Sequence, residues 1–382
     1  DVDVGVSERS PQDGLHEYIS VGQAQCAAAI EIDPDFADAY AGLCDTYLAF
    51  YSRSRATEFF QNAERACNQG LVLDSGAGDV YVALGNLYRY SGQYDRAVVH
   101  FKKALAINDK DVEAYTGLAE TYRDQNDFDQ AEQNFQRAID IQPGYWRGHL
   151  EMGNFLYFAG RIKEATEAYK RVVELAPDSA TGYLNLGSSF YLLGDFENAA
   201  SAWNKSLDLA PSTSVYMNLG SSYFFLGRFS DAAEMYGKAS EFSPDDFEAW
   251  GALGDAYFHA GDHEALATEA YRKAIELAEH LLQINTSDAQ SMAAVSQYYG
   301  RLGMTQRATE LITRAEQLQP NNMYVHYFSA VTNTSLGNHD VALDAVERAV
   351  DLGYPTSLLS MDAGLNAIAS DARFEALLSK NE

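Results

Sequence analysis

Large apolar residues, Leu-Gly pairs, alanines and prolines return along the chain with a period of about 34 residues. Leu-Gly follows the opening residue of several periods by three positions, and a small alanine opens a second run after a turn that carries Gly or Asn. Gly and Asn tolerate the left-handed backbone conformation at a helix end, so each period predicts two helices joined by a tight turn. The residues that open the periods are Tyr40, Tyr81, Tyr115, His149, Tyr183, Tyr216, Trp250, Met292 and His326.

Prolines mark the ends of the periods. Pro143, Pro177, Pro211 and Pro244 follow one another at nearly equal spacing, which matches the period of the apolar pattern. Proline cannot continue a helix, and it fixes the turn into the next one. The pattern therefore predicts an all-α chain with nine consecutive helix pairs.

Two of the nine periods are longer than the others. They are the period from Tyr40 to Tyr81 and the period from Trp250 to Met292. The excess in each corresponds to about two helical turns, and both extra segments have helix-like sequences. We therefore predict extended second helices near residues 53–73 and 264–284, either as tolerated insertions or as a ridge that shapes a groove or docks another domain.

The two ends of the chain depart from the repeat, as the terminal units of repeat arrays do. Residues 1–14 are rich in Ser, Pro, Gly and Asp and predict a linker, whereas residues 15–33 predict a lone helix. The repeat array would occupy residues 15–353, and residues 354–382 would form short capping helices. Because the chain begins without Met, we expect either an excised fragment or a processed form of a longer protein.

The pattern aromatic-x2-Leu-Gly-x2-Tyr, Ala-x3-aromatic and Pro resembles the tetratricopeptide-repeat (TPR) superfamily over residues 24–353. This resemblance implies a right-handed α-solenoid in which the first helices line a concave face. Residues 142–149 and 276–285 are similar, more narrowly, to TPR regions attached to bacterial eukaryotic-like serine/threonine kinases and winged-helix regulators. That similarity implies the C-terminal sensory or docking region of a larger bacterial signalling protein.

The resemblance also predicts which residues face a ligand. The concave positions carry aromatic and Asn residues in the middle of the array. Towards the ends, the same face carries charged residues: Asp45, Glu120, Asp124 and Asp255, with Arg89, Arg123 and Arg301. Exposed aromatic patches mark interaction surfaces, and Asn offers a donor and an acceptor to an extended peptide. We predict a groove that is lined by Asn154, Tyr157, Phe158, Asn185, Tyr191, Asn218, Phe224, Phe225, Asp255 and Phe258.

A packing role remains open for some of these aromatic residues. The position just after the motif tyrosine is often aromatic in the family, and Tyr157, Tyr191, Phe224 and Phe258 occupy it. Phe158 and Phe225 lie one residue further along and are less readily explained by packing.

Charge narrows the choice of partner. The chain carries 27 Lys and Arg against 55 Asp and Glu, a net charge of −28. Because nucleic-acid affinity comes largely from basic side chains that neutralise phosphates, this composition excludes nucleic acid and favours a basic protein or peptide. No run approaches the ~18 apolar residues of a membrane helix, so we expect no direct membrane contact in this fragment.

The cysteines all lie near the start of the chain, at Cys26, Cys44 and Cys67. Cys44 replaces the Gly of its first helix, and Cys67 occupies the aromatic position of the paired second helix. These two side chains should face each other, either as a disulfide in an oxidising compartment or as two reduced core cysteines. A disulfide would place this region in the periplasm, whereas reduced thiols suit the cytoplasm.

Catalytic and metal-binding motifs are missing from the sequence. It has no Cys-x2-Cys pair, glycine-rich phosphate loop, His-Glu-x2-His helix or nucleophile elbow. His259, Asp262, His263 and Glu264 cluster around one turn, which we interpret as ordinary turn residues. We therefore expect no enzymatic activity, no cofactor and no bound metal.

Three classes of function remain. The leading interpretation is a protein- or peptide-binding scaffold that works through the predicted groove. The alternative is an oligomerisation module, for example a homodimer, that uses the convex face or the extended helices. In the third class the chain is enzymatic only by association, through a domain outside this fragment.

Overall fold

The computed structural model describes residues 11–261 and 263–379, and every regular element in those ranges is helical, which confirms the all-α prediction. Helix α1 (Pro11–Ile32) is followed by nine helix hairpins within the described residues. The first helices are α2 (Ala37–Ser54), α4 (Gly78–Tyr90), α6 (Val112–Asp124), α8 (Trp146–Phe158), α10 (Ala180–Leu192), α12 (Thr213–Phe225), α14 (Phe247–Ala260), α16 (Ala289–Arg301) and α18 (Met323–Ser335). The second helices are α3 (Thr57–Leu73), α5 (Tyr94–Ile107), α7 (Phe128–Ile141), α9 (Ile162–Leu175), α11 (Phe196–Leu209), α13 (Phe229–Phe242), α15 (Glu264–Ile284), α17 (Thr305–Leu318) and α19 (His339–Asp351).

The chain divides into two compact units. The N-terminal unit is residues 1–182, and the C-terminal unit is residues 183–382. The N-terminal unit holds α1 and the hairpins up to α9. The C-terminal unit holds most of α10, the helices from α11 to α19, and three short helices near the C-terminus.

Aromatic side chains of the second helices fill the spaces left by glycines of the first helices. A Cβ atom at Gly85 would lie 2.5 Å from the ring of Phe101, and one at Gly117 would lie 2.3 Å from the same ring. Phe101 is fully buried between α4 and α6. The contact recurs in a later hairpin, where a Cβ atom at Gly153 would lie 2.6 Å from the Tyr169 ring. The close approach of backbone and ring explains the Leu-Gly motif of the sequence.

The turn inside each hairpin adopts the left-handed conformation that its Gly or Asn predicts. Gly92 has a φ of 72°, and Asn126, which stands where most hairpins have glycine, has a φ of 63°. The second helix that follows Asn126 begins with a capped end, because the Asp127 side chain accepts a hydrogen bond from the backbone N–H of Gln130.

One of the two long hairpins follows the predicted pattern and the other does not. The extra residues near position 270 lie in a single second helix, α15, whose 21 residues are Glu264–Ile284. In the first hairpin, by contrast, α2 has 18 residues and α3 has 17, whereas α4 and α5 have 13 and 14. The prediction of one extended second helix over residues 53–73 is therefore wrong, because both helices are lengthened.

The physical reason lies at the turn between α2 and α3. Arg55 takes the left-handed conformation with a φ of 54°, which ends α2 although no glycine marks the place. Beyond the usual hairpin length, the ring of Phe50 stacks on that of Phe59 at 5.0 Å. Tyr51 and Phe60 form a second ring contact at 5.2 Å. These aromatic pairs hold the two lengthened helix ends together.

A disulfide joins the two helices of the first hairpin. Cys44 and Cys67 are bonded, their Cα atoms are 5.3 Å apart, and both side chains are fully buried. The structure therefore supports the disulfide rather than the reduced pair. The bond takes the place of the glycine–aromatic contact that the later hairpins use. Cys26 is a free thiol on α1.

The chain ends are helical where they are described. Helix α1 begins at Pro11, so the last part of the predicted linker over residues 1–14 is helical, and residues 1–10 lie outside the described residues. At the C-terminus, α20 (Thr356–Leu359), a 3₁₀ helix (Ala363–Leu365) and α21 (Ala372–Leu378) follow α19. None of the described helices is both long enough and apolar enough to span a bilayer.

Candidate functional site

The ten residues of the predicted groove fall in both compact units. Asn154, Tyr157 and Phe158 belong to α8 of the N-terminal unit, and the remaining seven belong to the C-terminal unit. In each unit we call the face that its first helices form the inner face. The two inner faces differ in what covers them.

At the end of α8, one aromatic side chain is open to solvent. Phe158 is 83% exposed, while the neighbouring Tyr157 is partly buried and meets it edge-on at 5.7 Å. Asn154 is tied into the hairpin, because its Oδ1 accepts a hydrogen bond of 3.0 Å from the Tyr169 hydroxyl. Of the three predicted residues of this unit, Phe158 is the one that offers a large apolar surface.

In the C-terminal unit, two of the predicted aromatic residues are partly buried in packing contacts. Tyr191 and Phe225 meet edge-on at 5.6 Å, and the Phe225 ring stacks on buried Phe196 at 4.9 Å. Both pack against a hydrophobic cluster that contains Leu358 and Leu359 of α20. The C-terminal helices therefore cover this part of the inner face.

The chain segment that contains α20 is held in place by contacts with both α10 and α18. Towards α10, the Ser357 hydroxyl donates a hydrogen bond of 3.3 Å to the carbonyl of Leu192. Towards α18, the ring of Tyr354 stacks on Tyr327 at 4.7 Å. The Tyr327 hydroxyl in turn donates a 2.7 Å hydrogen bond to buried Asp362. We call residues 354–378 the C-terminal segment. It was expected to cap the last hairpin, and it also reaches the first hairpin of its unit.

The other predicted aromatic residues of this unit have separate surroundings. Phe224 contacts the rings of Phe229 at 5.2 Å and His259 at 5.4 Å. Phe258 is 44% exposed, and the guanidinium of Arg301 lies 4.5 Å from its ring centre. The predicted Asn185 and Asn218 are partly buried on α10 and α12.

Asp255 lies in a polar network inside the C-terminal unit. It accepts a 2.7 Å hydrogen bond from the Tyr271 hydroxyl, and Arg301 Nε lies 3.8 Å from its Oδ1. Burial raises the pKa of Asp255 to about 6, although Arg301 and the Tyr271 hydrogen bond act in the opposite direction. This carboxylate is already engaged by the protein itself.

The two histidines at the end of α14 and in the turn that follows it make packing contacts. The His259 ring contacts Phe224, whereas the His263 ring contacts Tyr257 at 5.6 Å. Burial, followed by Arg301, lowers the pKa of His259 to about 4. Asp262 lies outside the described residues. Within residues 11–261 and 263–379, no group of three His, Cys, Asp or Glu side chains is placed to hold a metal ion.

The inner face of the N-terminal unit contains a pocket of about 380 Å³. The first helices α2, α4, α6 and α8 each contribute side chains to it. Its charged and polar lining, which we call the acidic pocket, consists mainly of Asp45, Asn86, Arg89, Glu113, Glu120, Arg147 and Glu151. Tyr90 and Tyr145 add aromatic surface.

One arginine of the acidic pocket is already paired. Arg89 forms ion pairs with Glu120 at 2.8 Å and with Asp124 at 3.3 Å, and its side chain is 13% exposed. Asp124 also pairs with Arg123 at 3.0 Å. The Arg89 charge is therefore neutralised by Glu120 and Asp124 inside the protein.

Asp45 has no ion-pairing partner among the residues that the structure describes, and it is partly buried. It accepts a 3.0 Å hydrogen bond from Asn86 Nδ2. Burial, and to a smaller degree Glu113 and Asp79, raises the pKa of Asp45 to about 7. The proton on this carboxyl group therefore titrates near neutral pH.

Glu151 is a second partly buried carboxylate without an ion pair in the described part of the chain. Burial and the neighbouring Glu120 raise its pKa. The Asn154 side chain and the more distant charges of Arg123 and Arg89 act in the opposite direction without reversing the shift. For these two carboxylates, burial of the charged form is thus unfavourable, and no guanidinium group in contact among the described residues offsets it.

The sequence points to only part of the acidic pocket. Asp45, Asn86 and Glu120 each lie five residues after the residue that opens their period, so a shared register could have grouped them. Glu113 and Arg147 lie two residues before that position, outside the offsets that predicted the groove. Their convergence follows from how successive first helices stack.

Family comparisons agree with the architecture. Profiles described as tetratricopeptide repeat match residues 88–133, 122–188, 180–213 and 217–280. A profile described as anaphase-promoting complex, cyclosome, subunit 3, matches residues 267–349. These matches support assignment to the tetratricopeptide-repeat superfamily and a role as a protein-interaction scaffold. No curated protein matches it.

Several solved structures are similar to parts of the chain. A MamA protein is 26% identical and aligns over 44% of this chain and 92% of its own, with a TM-score of 0.42. The C-terminal part of a TPR repeat-containing protein from Cytophaga hutchinsonii is 17% identical over 65% of this chain and 98% of its own, with a TM-score of 0.50. YrrB, described as a TPR protein with an unusual peptide-binding site, is 23% identical over 50% of this chain and 94% of its own, with a TM-score of 0.34. The Cytophaga structure supports the fold alone.

Proposed function

We propose that this chain is a docking scaffold that binds a segment of a partner protein on the inner face of its N-terminal unit. The observation that carries the proposal is the acidic pocket on the same face as the exposed ring of Phe158. Pockets of roughly 300–1,000 Å³ suit small ligand groups, and exposed aromatic side chains are frequent anchors of protein interfaces.

Within the ten-residue groove predicted from the sequence, the proposal assigns different weights to different residues. Phe158 is the main contact of the N-terminal unit, with Asn154 and Tyr157 beside it. In the C-terminal unit, Phe258 offers exposed aromatic surface, whereas Tyr191 and Phe225 serve the packing of the C-terminal segment. Asn185, Asn218, Phe224 and Asp255 line the inner face without a comparable exposed surface.

The cellular setting is a proposal of the same kind. Residues 142–149 and 276–285 resemble TPR regions of bacterial signalling proteins, which supports the sensory or docking region of a larger protein of that type. The net charge of −28 favours encounter with a basic partner. The disulfide in the first hairpin supports an oxidising compartment, because such bonds persist outside the reducing cytosol.

Site-specific photo-cross-linking in the native host tests the docking face. A photoreactive phenylalanine analogue at position 158 should cross-link to a partner protein. The matched control is position 128, where a phenylalanine on second helix α7 is 50% exposed. Equal cross-linking at the two positions, or cross-linking at position 128 alone, would contradict the proposal.

Self-association is a second candidate function that one feature favours. The lengthened helix α15 exposes Leu281 and Ile284, which are 45% and 77% accessible near its C-terminal end. In this candidate, a homodimer forms through α15, and Ile284→Asp lowers the mass measured by sedimentation equilibrium. A monomeric mass that is independent of concentration would exclude it.

A further inference from the structure

We infer that the acidic pocket receives a lysine or arginine side chain from an extended partner segment, and that the same segment places an apolar side chain against Phe158. This inference rests on the proposed docking function and names the chemistry of the ligand. It is carried by the charge balance of the pocket and by the register of residues along α8.

The charge balance of the pocket favours a cation. Of its four carboxylates, only Glu120 is paired with a guanidinium group among the described residues. Asp45 and Glu151 are partly buried without an ion pair in the described part of the chain, and Arg147 is exposed to solvent. A carboxylate held away from water without a counter-charge is destabilising, so a bound ammonium or guanidinium group would gain from the carboxylate that it reaches.

The register of α8 sets the spacing of the two contacts. Arg147, Glu151, Asn154 and Phe158 are separated by four, three and four residues, so they lie along one face of the helix. The first two line the pocket, and Phe158 is exposed at the helix end. Seven residues from Glu151 to Phe158 correspond to about 10 Å along the helix axis.

This spacing can be translated into a sequence motif for the partner. An extended strand advances about 3.3 Å per residue, so about 10 Å corresponds to a separation of roughly three residues. The expected motif has one basic residue and one aromatic or large aliphatic residue, with two residues between them. The basic residue would enter the pocket beside Glu151.

A displayed library of random dodecapeptides, panned against the full chain, tests this inference. The counter-selection uses the Asp45→Asn/Glu151→Gln variant, which keeps the side-chain shapes and removes the two charges. We expect enriched peptides to carry Lys or Arg three positions from an aromatic or large aliphatic residue. Enrichment without a basic residue, or no enrichment over the counter-selected variant, would overturn the inference.

Individual peptides then separate this inference from the docking proposal. Replacing the selected Lys by norleucine, which has a similar length and no charge, should weaken binding about tenfold or more. Glu151→Gln should have a similar effect, and Glu64→Gln on the exposed surface of α3 should have none. If Phe158→Ala weakens binding but the norleucine peptide binds as well as the Lys peptide, docking on this face survives and the cation subsite is refuted. If Phe158→Ala also has no effect, both are refuted.

Discussion

The two compact units use the same hairpin and the same glycine–aromatic contact, yet their inner faces end up in different states. In the N-terminal unit, Phe158 is 83% exposed on the face that holds the open acidic pocket. In the C-terminal unit, Phe225 occupies the same register position of its repeat but is partly buried against a hydrophobic cluster that includes residues of the C-terminal segment. A shared repeat geometry therefore does not decide whether its inner face is available to a partner.

The polar groups of the two inner faces differ in the same way. In the C-terminal unit, Asp362 accepts hydrogen bonds from the Tyr327 hydroxyl and from the backbone N–H of Gly364, both at 2.7 Å. Asp45 and Glu151 of the N-terminal unit have no ion pair in the described residues. Each accepts one hydrogen bond, from Asn86 at 3.0 Å and from Asn154 at 3.5 Å, so these two carboxylates have more acceptor capacity left than Asp362 has.

The contrast between the two inner faces is tested most strongly at Leu359, a residue of the C-terminal segment that is 1% exposed in its hydrophobic cluster. Leu359→Ala should destabilise the C-terminal unit by about 2–5 kcal/mol, because it removes buried methyl groups and leaves a cavity. Thermal unfolding measures the loss. The control is Met361→Ala, since Met361 is 50% exposed and its truncation should change little. Equal stability of the two variants would show that the C-terminal segment does not hold the inner face closed.

The disulfide gives the N-terminal unit a stabilising link that the C-terminal unit lacks among its described residues. Cys44 and Cys67 enclose a loop with a sequence separation of 23 residues. Replacing both by Ala should cost about 2–4 kcal/mol, mainly because the unfolded chain regains freedom. Unfolding followed by hydrogen exchange should locate this loss in the first hairpin. Cys26→Ala is the control, and an equal loss in that variant would contradict the assignment.

Asp45 of the N-terminal unit has a smaller effect on stability, and this effect depends on pH. Its pKa is raised to about 7 in the folded chain, so the folded state holds this proton more tightly than the unfolded state does. The stability that this group contributes is fully present below about pH 4 and is lost as pH rises through 7. The groups that act on it are Cys26 from α1, Asp79 and Asn86 from α4, and Glu113 from α6.

The Asp45→Asn substitution should remove this loss of stability at high pH. At pH 8, the variant should be more stable than the parent by on the order of 1–2 kcal/mol. Solvent screening keeps this gain small, because the group is partly exposed. At pH 4, the two proteins should have nearly the same stability. Denaturant unfolding at the two pH values measures the difference. A variant that is destabilised at pH 8 would show that Asp45 already has its counter-charge within the protein.

Features that depend on local geometry could be predicted from the sequence. Gly85 and Gly117 lie next to Phe101 as the repeat indicates, and α15 contains the extra residues of its period. The first long period indicated only the total excess, because residues on both sides of Arg55 form helix and Arg55 itself gives no turn signal. The turn position therefore could not be read from the spacing.

Features that depend on distant contacts could not be predicted in this way. Phe158 and Phe225 both lie nine residues after the residue that opens their repeat, and nothing local distinguishes them. Phe225 packs against a cluster that includes Leu358 and Leu359, which lie several repeats later in the chain. A periodic pattern describes neighbours within a repeat and between adjacent repeats, so it cannot show which inner face the chain itself will cover.

The most direct test of this account is photo-cross-linking from position 225, with the products identified by mass spectrometry. A photoreactive phenylalanine analogue at this position should cross-link within the chain, to residues 354–359 of the C-terminal segment. The same analogue at position 158 should cross-link to a partner protein. A partner cross-link at position 225, without the internal product, would contradict the claim that the C-terminal segment covers this part of the inner face while the surface at Phe158 is open.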